Sequence, residues 1–448
     1  MATPEDQRVL PERCDRCPAP DGTALIEGLA SFDRAPVAAD ALDATKDLHI
    51  ESGFDSIAER RRVFDWLGAG LRPDRPGRLQ QEYPLLFKHD ASVFHLTLYQ
   101  GSTPIAFCTL WAVHFRVGVD RLRAGLISSV YTDPSARGRG HAGRVVNRAL
   151  EKARDLNLGL ALLWSDIDSL YTRLGFVQAG GESLLLVDQE TLRSAIVMAG
   201  ETTGDEAFAI ERPGIEDWRA IERLRGDRDC QLELDAGELS TMHSIPDMSV
   251  RVARRRGGNG SKSHDEIVAF AIRGKGDDFG EVIHEWAGEP EATLQCCQSL
   301  IEECDPHNQL FLLAPPDATE APWHLRKAGA RVIRQPLAWM RVASATALAE
   351  DLSRIVPDST RIRIREAHPA HSAEGRAPDL IIETTKGSLT LDPATFLELI
   401  LGPELKWTPC ASTARLETPH GPGLAPVLDD RALEALPLAF FVWGMESI

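Results

Sequence analysis

The residues with the clearest chemical potential lie in one short segment that leads into a helical pattern. The run Arg137-Gly138-Arg139-Gly140-His141-Ala142-Gly143 follows the turn at Asp133-Pro134. Glycines let a backbone approach a phosphate closely, and the first N–H groups of a helix have no partners within that helix. The helix dipole and the two arginines add positive charge at the same point. The segment therefore predicts a site for an anion such as a diphosphate.

A second segment with chemical potential follows the first along the chain. Its sequence is Leu170-Tyr171-Thr172-Arg173-Leu174-Gly175-Phe176, and the short stretch from Asp168 to Gly175 leads into a further strand. Tyr171 offers a phenol that can donate a proton or a hydrogen bond. The alternative is that Tyr171 only packs against Phe176.

Strands and helices that would position both segments are visible as hydrophobic periods. Alternation predicts a strand at Phe94 to Tyr99, and a turn then leads into its hairpin partner. The compact apolar run Leu158 to Trp164 predicts a buried strand, parallel to its predecessor because a helix has carried the chain back. The remaining elements predicted here are a helix at Phe54 to Leu71, strands at Ile105 to Val113, Arg123 to Tyr131 and Ser183 to Val187, and a helix from Arg139 with an apolar face at Ala142, Val145, Val146, Ala149, Leu150 and Ala153.

Arg137-x-x-Gly140-x-Ala142 fits the R/Q-x-x-G-x-G/A pattern of the GNAT acetyltransferases, which the sequence resembles over about 120 residues. The resemblance implies an α+β (mixed α/β) fold with a central mixed sheet, and acetyl-CoA as co-substrate without a metal. It implies that the pantetheine arm lies along Val130, Tyr131 and Thr132, where parallel strands splay apart. It also implies that the pyrophosphate sits on the amides of Gly138 to Gly143. Ser165 and Asp166, which end the next strand, are expected to line this site.

The same resemblance implies direct attack of an amine on the acetyl thioester. An N–H of the splayed strand would stabilise the oxyanion, and Tyr171 would protonate or hydrogen-bond the leaving thiolate. The candidates for the base are Asp166, Asp168, the carboxylate of Ile448, and water. His141 is predicted to be an exposed residue of the first helical turn rather than a catalyst. His95 and His114 are expected to be packed or exposed strand residues.

The element order of the first domain recurs further along the chain. A hairpin at Val250 to Ile272 with its tip at Gly257 to Gly260 precedes a strand, a helix, a strand and a short helix. These are predicted at Glu281 to Ala287, Ala292 to Glu303, Leu310 to Ala314 and Trp323 to Gly329. At the loop, this second copy has Gly288-Glu289-Pro290-Glu291-Ala292, whose carboxylates would repel a pyrophosphate. We therefore expect this copy to be structural.

A third region predicts strands at Thr360 to Arg365, Leu380 to Thr384 and Ser388 to Leu391, and a helix that Asp392-Pro393 begins and Gly402 ends. The apolar stretch Pro437 to Trp443 is expected to be buried. The layout resembles the Eis family, with two GNAT domains and a domain like sterol carrier protein. In that family the terminal carboxylate acts as the base, which implies the role for Ile448. The predicted division is a tail or cap at 1–45, a catalytic domain at 46–200, a degenerate GNAT-like domain at 201–342 and the last domain at 343–448.

Composition restricts the possible partners. The chain has 448 residues and a formal net charge of −18, which disfavours nucleic acid and favours cationic small molecules. No apolar run long enough to span a membrane and no secretory signal is visible, so a cytoplasmic location is expected. The eight cysteines are scattered, which is typical of reduced thiols, and Cys14 and Cys17 are expected to be structural or incidental. A homo-oligomer is possible.

Two functions from different classes are consistent with these motifs. The first is an N-acetyltransferase that acts on a primary amine, such as a small cationic amine, an aminoglycoside-like compound or a lysine side chain. The second is a non-catalytic sensor that binds an acyl-CoA. Transfer of a longer acyl or an aminoacyl group is a third possibility, although the intact arginine and glycine motif favours CoA over aminoacyl-tRNA.

Overall fold

The computed structural model describes residues 48–88, 90–203, 208–255, 266–304, 309–316, 318–356, 362–367, 377–384, 387–402 and 436–446, with only the backbone of 201–203. All of them belong to one compact unit, residues 40–448. The predicted tail, the Cys14 and Cys17 pair, the tip at 257–260 and Ile448 lie outside the described residues. Within these ranges no helix has the length and apolar character needed to cross a membrane.

A mixed sheet carries both of the predicted motifs, which confirms the expected α+β fold class. Its own strands are β1 (Leu48–Ser52), β2 (Val93–Gln100), β3 (Thr103–Val117), β4 (Asp120–Thr132), β5 (Leu160–Leu163) and β6 (Val177–Ala179). Its helices are α1 (Ile57–Leu71), α2 (Arg78–Glu82), α3 (Pro84–Phe87), α4 (His141–Asp155) and α5 (Asp168–Arg173). The pairing of β4 with β5 is parallel, as predicted, and the other described pairings in this sheet are antiparallel.

Helix α4 covers one face of this sheet. Its predicted apolar face is buried at Val145, Val146, Ala149, Leu150 and Ala153, whereas Ala142 is half-buried. Residues three and four apart lie on one side of a helix, so these side chains all reach the sheet. The amphipathic pattern thereby fixes the rotation of α4 about its axis, and with it the direction of the preceding loop.

A second sheet has the element order that the sequence predicts for the second copy. Its strands are β7 (Glu182–Asp188), β8 (Phe208–Glu211), β10 (Ser249–Arg255), β11 (Glu266–Arg273), β12 (Val282–Gly288), β13 (Gln309–Ala314) and β14 (Arg331–Gln335), while β9 (Cys230–Leu232) pairs with β3 of the first sheet. The helices of this part are α6 (Gln189–Thr203), α7 (Trp218–Gly226), α8 (Ala236–Met242), α9 (Pro290–Glu302) and α10 (Ala321–Lys327).

The two sheets exchange strands. Strand β7 lies between β14 and β13 in the second sheet, although it follows the first sheet's elements in sequence. In return β15 (Ala338–Val342) lies between β5 and β6 in the first sheet. The division between residues 46–200 and 201–342 stays a prediction, but backbone hydrogen bonding crosses it in both directions.

The third region contains α11 (Ala345–Ile355), β16 (Arg363–Glu366), β17 (Leu380–Thr384), β18 (Gly387–Leu391) and α12 (Pro393–Leu401). As predicted, Asp392 caps the last helix, because its Oδ1 accepts from the backbone N–H groups of Ala394 at 3.0 Å and Thr395 at 3.1 Å. The three strands form one antiparallel sheet. Its likeness to sterol carrier protein stays a prediction.

The segment that follows α12 among the described residues runs between the two large sheets. Most of its apolar side chains are buried, as predicted, namely Leu438, Phe440, Phe441, Val442 and Trp443. Pro437 and Ala439, which were predicted to be buried with them, are exposed. Phe440 packs edge-on against Phe115 of β3, and Trp443 packs edge-on against Trp286 of β12. The segment therefore contributes a shared core between both sheets.

A buried ion pair ties the third region to β4. The backbone N–H and the Nε of Arg123 both donate to the carboxylate of Asp351 at 2.9 Å, and Asp351 is fully buried on α11. Arg123 also contacts Glu350, whose side chain is 50% exposed. Arg123 follows the start of β4, so this contact fixes the strand that carries the first motif.

We expect Asp351→Asn to lower the free energy of unfolding by roughly 1.5–3 kcal/mol, because the half-buried guanidinium of Arg123 loses its charge-assisted hydrogen bonds to a buried carboxylate. Glu350→Gln is the matched control and should cost less than about 1 kcal/mol, since that pair is exposed. Urea denaturation of both variants measures the difference. Equal losses in the two variants would contradict an anchoring role for Asp351.

Candidate functional site

The first feature of the candidate site is an opening between β4 and β5. The two strands pair only from Ala124 and Leu160 to Leu126 and Leu162. Strand β4 continues to Thr132, and on its other side it stays paired with β3 up to that residue. On the side of β5, the backbone of Val130, Tyr131 and Thr132 therefore faces a gap. This is the splay predicted from the sequence.

A bulge accompanies the opening. The register of β3 and β4 shifts between Phe107 and Thr109, and Ser129 on β4 has a φ of 52°. A residue with a side chain pays a conformational cost in this left-handed region, so the surrounding structure must hold it there. Bulges bend a strand and increase its twist, which here turns the end of β4 away from β5.

The second feature is the glycine turn that follows β4. The Oδ1 of Asp133 accepts from the backbone N–H of Ser135 at 3.0 Å and starts a short 3₁₀ turn over Pro134–Ala136. Gly138 and Gly140 then adopt φ values of 75° and 77°. A Cβ added at either glycine would meet nothing within 4 Å, so the space beside their Cα atoms is open.

Helix α4 begins directly after this turn with uncapped backbone groups. Gly140 is its N-cap, no side chain accepts from its first amides, and its first turn contains no acidic residue. Ala142 and Gly143 are half-buried, while Arg137 and Arg139 are exposed. The Nε of Arg137 donates to the backbone oxygen of Thr132 at 3.2 Å. Free amides, positive charge and open space together fit an anion.

His141 was predicted to be an exposed residue of the first helical turn, and this prediction is wrong. Its side chain is buried, with 7% of the residue exposed, because it lies one turn before Val145 on the sheet side of α4. Burial, together with the charges of Arg144 and Arg139, lowers the pKa of His141, so the imidazole is neutral near neutral pH. Its Nδ1 is buried without a hydrogen-bond partner, and so is the Oγ1 of Thr132. Buried polar atoms normally have partners, and these two belong to the elements on either side of the glycine turn.

Tyr171 lies on α5 and is almost completely buried, with 4% exposed. Its ring packs edge-on against Phe176 with centroids 5.9 Å apart, which is the contact that the alternative interpretation of Tyr171 named. Burial raises the pKa of Tyr171 to about 12, and a hydrogen bond with the Ser165 side chain acts in the opposite direction. The phenol is therefore protonated and available as a donor over the physiological range.

The candidate bases occupy different surroundings. Asp166 and Asp168 are exposed, and the charge of Asp166 adds to the raised pKa of Tyr171. His95 is packed among aromatic rings and shares a hydrogen bond with the Leu86 carbonyl, while His114 is exposed. These surroundings agree with the prediction that both are packed or exposed strand residues.

Two tryptophans border the candidate site and have no counterpart in the sequence prediction. Trp66 of α1 donates from Nε1 to Asp133 at 3.2 Å and packs edge-on against Tyr131. Trp339 of β15 donates from Nε1 to the backbone oxygen of Ser165 at 2.9 Å. Trp66 was detectable as a tryptophan within a predicted helix. Trp339 was not, because no local pattern shows that β15 enters the first sheet.

The corresponding turn in the second copy is filled rather than open. A Cβ at Gly288 would lie 2.1 Å from the carbonyl oxygen of Val268. Glu289 forms an ion pair with Arg255, and Glu291 is buried at the start of α9. This turn offers neither the space nor the positive charge found beside α4.

One group of carboxylates satisfies the spacing of a metal site among the described residues. Oxygens of Glu51, Asp55 and Glu59 lie within 4.8 Å of one another. Glu59 already accepts from the Tyr99 hydroxyl at 2.7 Å and from the Asp55 backbone N–H at 2.9 Å. These bonds account for the grouping, and the expectation of a metal-free reaction stays a prediction.

Comparison with known proteins agrees with this geometry. Residues 60–176 match the model of the Acetyltransferase (GNAT) family, and this range includes the opening, the glycine turn and Tyr171. No curated protein matches the chain. A probable N-acyltransferase from Enterococcus faecalis V583 is similar in structure with a TM-score of 0.58 and 11% identity, over 79% of this chain and 90% of that one.

Two further solved structures resemble the chain. A GCN5-related N-acetyltransferase from Kribbella flavida has a TM-score of 0.52 and 16% identity, over 78% of this chain and 84% of that one. Eis1 from Mycobacterium abscessus has a TM-score of 0.47 and 13% identity, over 78% and 86%. The first similarity shows a shared fold, whereas the second is too low to carry an argument.

The fold and the site thus define a GNAT domain within residues 60–176. Proteins of this family are acyltransferases that use acetyl-CoA as co-substrate, and the matched range shows that this chain contains such a domain.

We expect Gly140→Ala to destabilise the protein by about 1–2 kcal/mol, because alanine pays a conformational cost at a φ of 77°. The effect is purely conformational, since the added methyl group meets no neighbour. Gly77→Ala is the control, because that glycine has a φ of −73° and equally open surroundings. Urea denaturation compares the variants, and an unchanged stability of Gly140→Ala would contradict the described turn.

Proposed function

We propose that the protein transfers acetyl from acetyl-CoA to a primary amine, which is a small cation, an aminoglycoside-like compound or a lysine side chain. One observation carries this proposal. The unpaired edge of β4 leads without interruption into an open glycine turn and an uncapped helix. This arrangement offers amide groups to a pantetheine arm and then to a diphosphate.

The residues that would hold the co-substrate follow from the same arrangement. Backbone groups of Val130, Tyr131 and Thr132 would bind the pantetheine, and the amides from Gly138 to Gly143 would bind the diphosphate. Arg137 and Arg139 would supply charge. Acetyl-CoA supplies the activated acetyl thioester when it is bound.

Tyr171 would act as the donor to the departing thiolate. The amine nitrogen forms the new bond to the acetyl carbon as the carbon–sulfur bond breaks, and negative charge develops on the sulfur. A protonated phenol next to that sulfur stabilises the charge by a hydrogen bond or by proton donation. The pKa of about 12 supports a donor role, because the proton stays on Tyr171. An N–H group on the open edge of β4 would stabilise the carbonyl oxygen.

The excess proton of the amine needs a base, and Asp166, Asp168, the carboxylate of Ile448 and water remain candidates. The described residues before Ile448 approach β3, the strand that pairs with β4. Phe440 contacts Phe115, and Met445 lines a small cavity with Trp111. Phe115, Trp111 and Phe107 follow one another toward the start of β3, and Phe107 pairs with Tyr131 of β4. The contacts of this segment with β3 therefore come closer to Tyr131 from Phe440 to Met445.

A cationic acceptor is supported by charge. The formal net charge of −18 attracts cations at long range. Asp166 and Asp168 add exposed carboxylates next to the helix that carries Tyr171. Both features favour an amine that arrives as an ammonium ion and is deprotonated at the site.

The direct test is to incubate the protein with acetyl-CoA and a panel of polyamines, aminoglycosides and lysine peptides while following release of free thiol. With an active amine, Tyr171→Phe should lower kcat roughly 100-fold or more and leave the Kd for CoA nearly unchanged. The ratio of the two rates should stay constant up to about pH 10, since the wild-type phenol remains protonated there.

Tyr99→Phe serves as the control for the loss of a buried phenol. Tyr99 lies on β2 and donates to Glu59, away from the opening. Its replacement should affect stability without changing kcat. Acetyl-CoA binding without turnover of any amine would favour a sensor, and similar rates for wild type and Tyr171→Phe would remove Tyr171 from the mechanism.

We expect the double variant Arg137→Ala/Arg139→Ala to bind CoA roughly tenfold more weakly, because two exposed charges near the diphosphate are lost. Added salt should weaken the wild type more than the variant, since salt screens exposed charges. Calorimetry measures both affinities. Arg148→Ala is the control, because Arg148 is exposed on α4 beyond the glycine turn and pairs with Glu151. Absence of CoA binding by the wild type would overturn the proposed function.

A further inference from the structure

The exchanged strand β15 reaches the candidate catalytic loop, which is defined here as residues 164–174. In β15, Trp339 pairs with Leu163 of β5 on one side and with Gln178 of β6 on the other. The loop leaves β5 and returns to β6, so β15 lies between its two ends. The strand is therefore the only described element of the second half that pairs with both strands flanking the loop.

Three hydrogen bonds join β15 and its approach to this loop. The Nε1 of Trp339 donates to the Ser165 carbonyl at 2.9 Å, and the Nε1 of Trp164 donates to the Leu337 carbonyl at 2.8 Å. The guanidinium of Arg341 donates to the Leu174 carbonyl. Residues of β15 and its approach therefore fix this loop near both of its ends, although they lie more than 160 residues further along the chain.

The bond from Trp339 ends on the residue that contacts Tyr171. The Oγ of Ser165 accepts from the backbone N–H of Ile167 at 3.1 Å, which sets the rotation of its side chain. A hydrogen bond between the side chains of Ser165 and Tyr171 opposes the rise in the pKa of Tyr171. The rings of Trp339 and Tyr171 also lie together, with centroids 6.4 Å apart, and both side chains are buried.

We propose that Trp339 is a positioning residue for Tyr171, which it aligns through Ser165 and through direct ring contact. This inference rests on the proposed function for its catalytic consequence. In this proposal Trp339 contacts Tyr171 but neither the amine nor the acetyl thioester. It holds the Ser165 hydroxyl where it stabilises the oxygen of Tyr171 as the phenol donates toward the sulfur. The second copy thereby contributes to the site through β15, although its own glycine turn at Gly288 is filled.

The test uses Trp339→Phe in the full chain, because phenylalanine keeps an aromatic ring and removes only the N–H donor and one ring. We expect kcat to fall about tenfold while KM for acetyl-CoA changes less than about twofold, since the cradle at the glycine turn is untouched. Ser165→Ala should show the same split. The double variant should lose little more than either single variant, because both changes interrupt one chain of contacts.

Trp286→Phe is the matched control. Trp286 is buried in the second sheet and donates from Nε1 to the Leu313 carbonyl at 2.8 Å, so the same kind of bond is lost far from the loop. Both tryptophan variants should lower the melting temperature by similar amounts, while only Trp339→Phe changes kcat. A purely structural role for Trp339 predicts no difference between them in kcat.

A second readout needs no turnover. The chain has four tyrosines, so fluorotyrosine labelling gives a small set of ¹⁹F resonances that single Tyr→Phe variants assign. The Tyr171 resonance should shift in Trp339→Phe and in Ser165→Ala, and stay in place in Trp286→Phe. An unmoved Tyr171 resonance in Trp339→Phe, or a kcat equal to that of the control, overturns the inference. Failure of the wild type to bind CoA would overturn the proposed function instead, and the resonance shift would still test the coupling.

Discussion

The candidate site depends on the hydrogen-bonding demand of one strand edge. Successive residues of β4 present their backbone groups to alternate sides, and β3 satisfies one side as far as Thr132. On the other side, β5 stops pairing after Leu126. The groups beyond that point need water or a ligand as partner, since unpaired backbone groups are costly when they are shielded from solvent. The bulge at Ser129 and the glycine turn continue this opening into the start of α4.

The strand exchange supplies the rigidity that such an opening requires. A strand that loses its neighbour is free to shift unless other contacts hold it, and here the adjoining elements come from distant parts of the sequence. Asp351 binds the start of β4, and Trp339 binds the loop that follows β5. The second copy and the third region therefore work as a scaffold around the first domain, although the second copy's own turn at Gly288 has no room for a ligand.

Local signals in the sequence predicted most elements because each depends on neighbours within a few residues. Asp392 before a proline predicts a capped helix, and the spacing of Val145, Ala149 and Ala153 predicts the buried face of α4. The sheet that receives β15 was not predictable, because an apolar strand has the same pattern in either sheet. His141 was mispredicted for a related reason: its charged neighbours suggest exposure, but the rotation of α4 places its side chain on the buried side of the helix.

The reciprocal placement of β7 and β15 also limits how this architecture can be divided. A polypeptide cut between the two halves would leave β5 and β6 without the strand that joins them, and would carry β7 as an apolar strand without its sheet. Bare edges of this kind pair with other chains and lead to aggregation. The two copies therefore form one folding unit. A recombination event that replaces one copy must also replace the strand that this copy contributes to the sheet of the other, either β7 or β15.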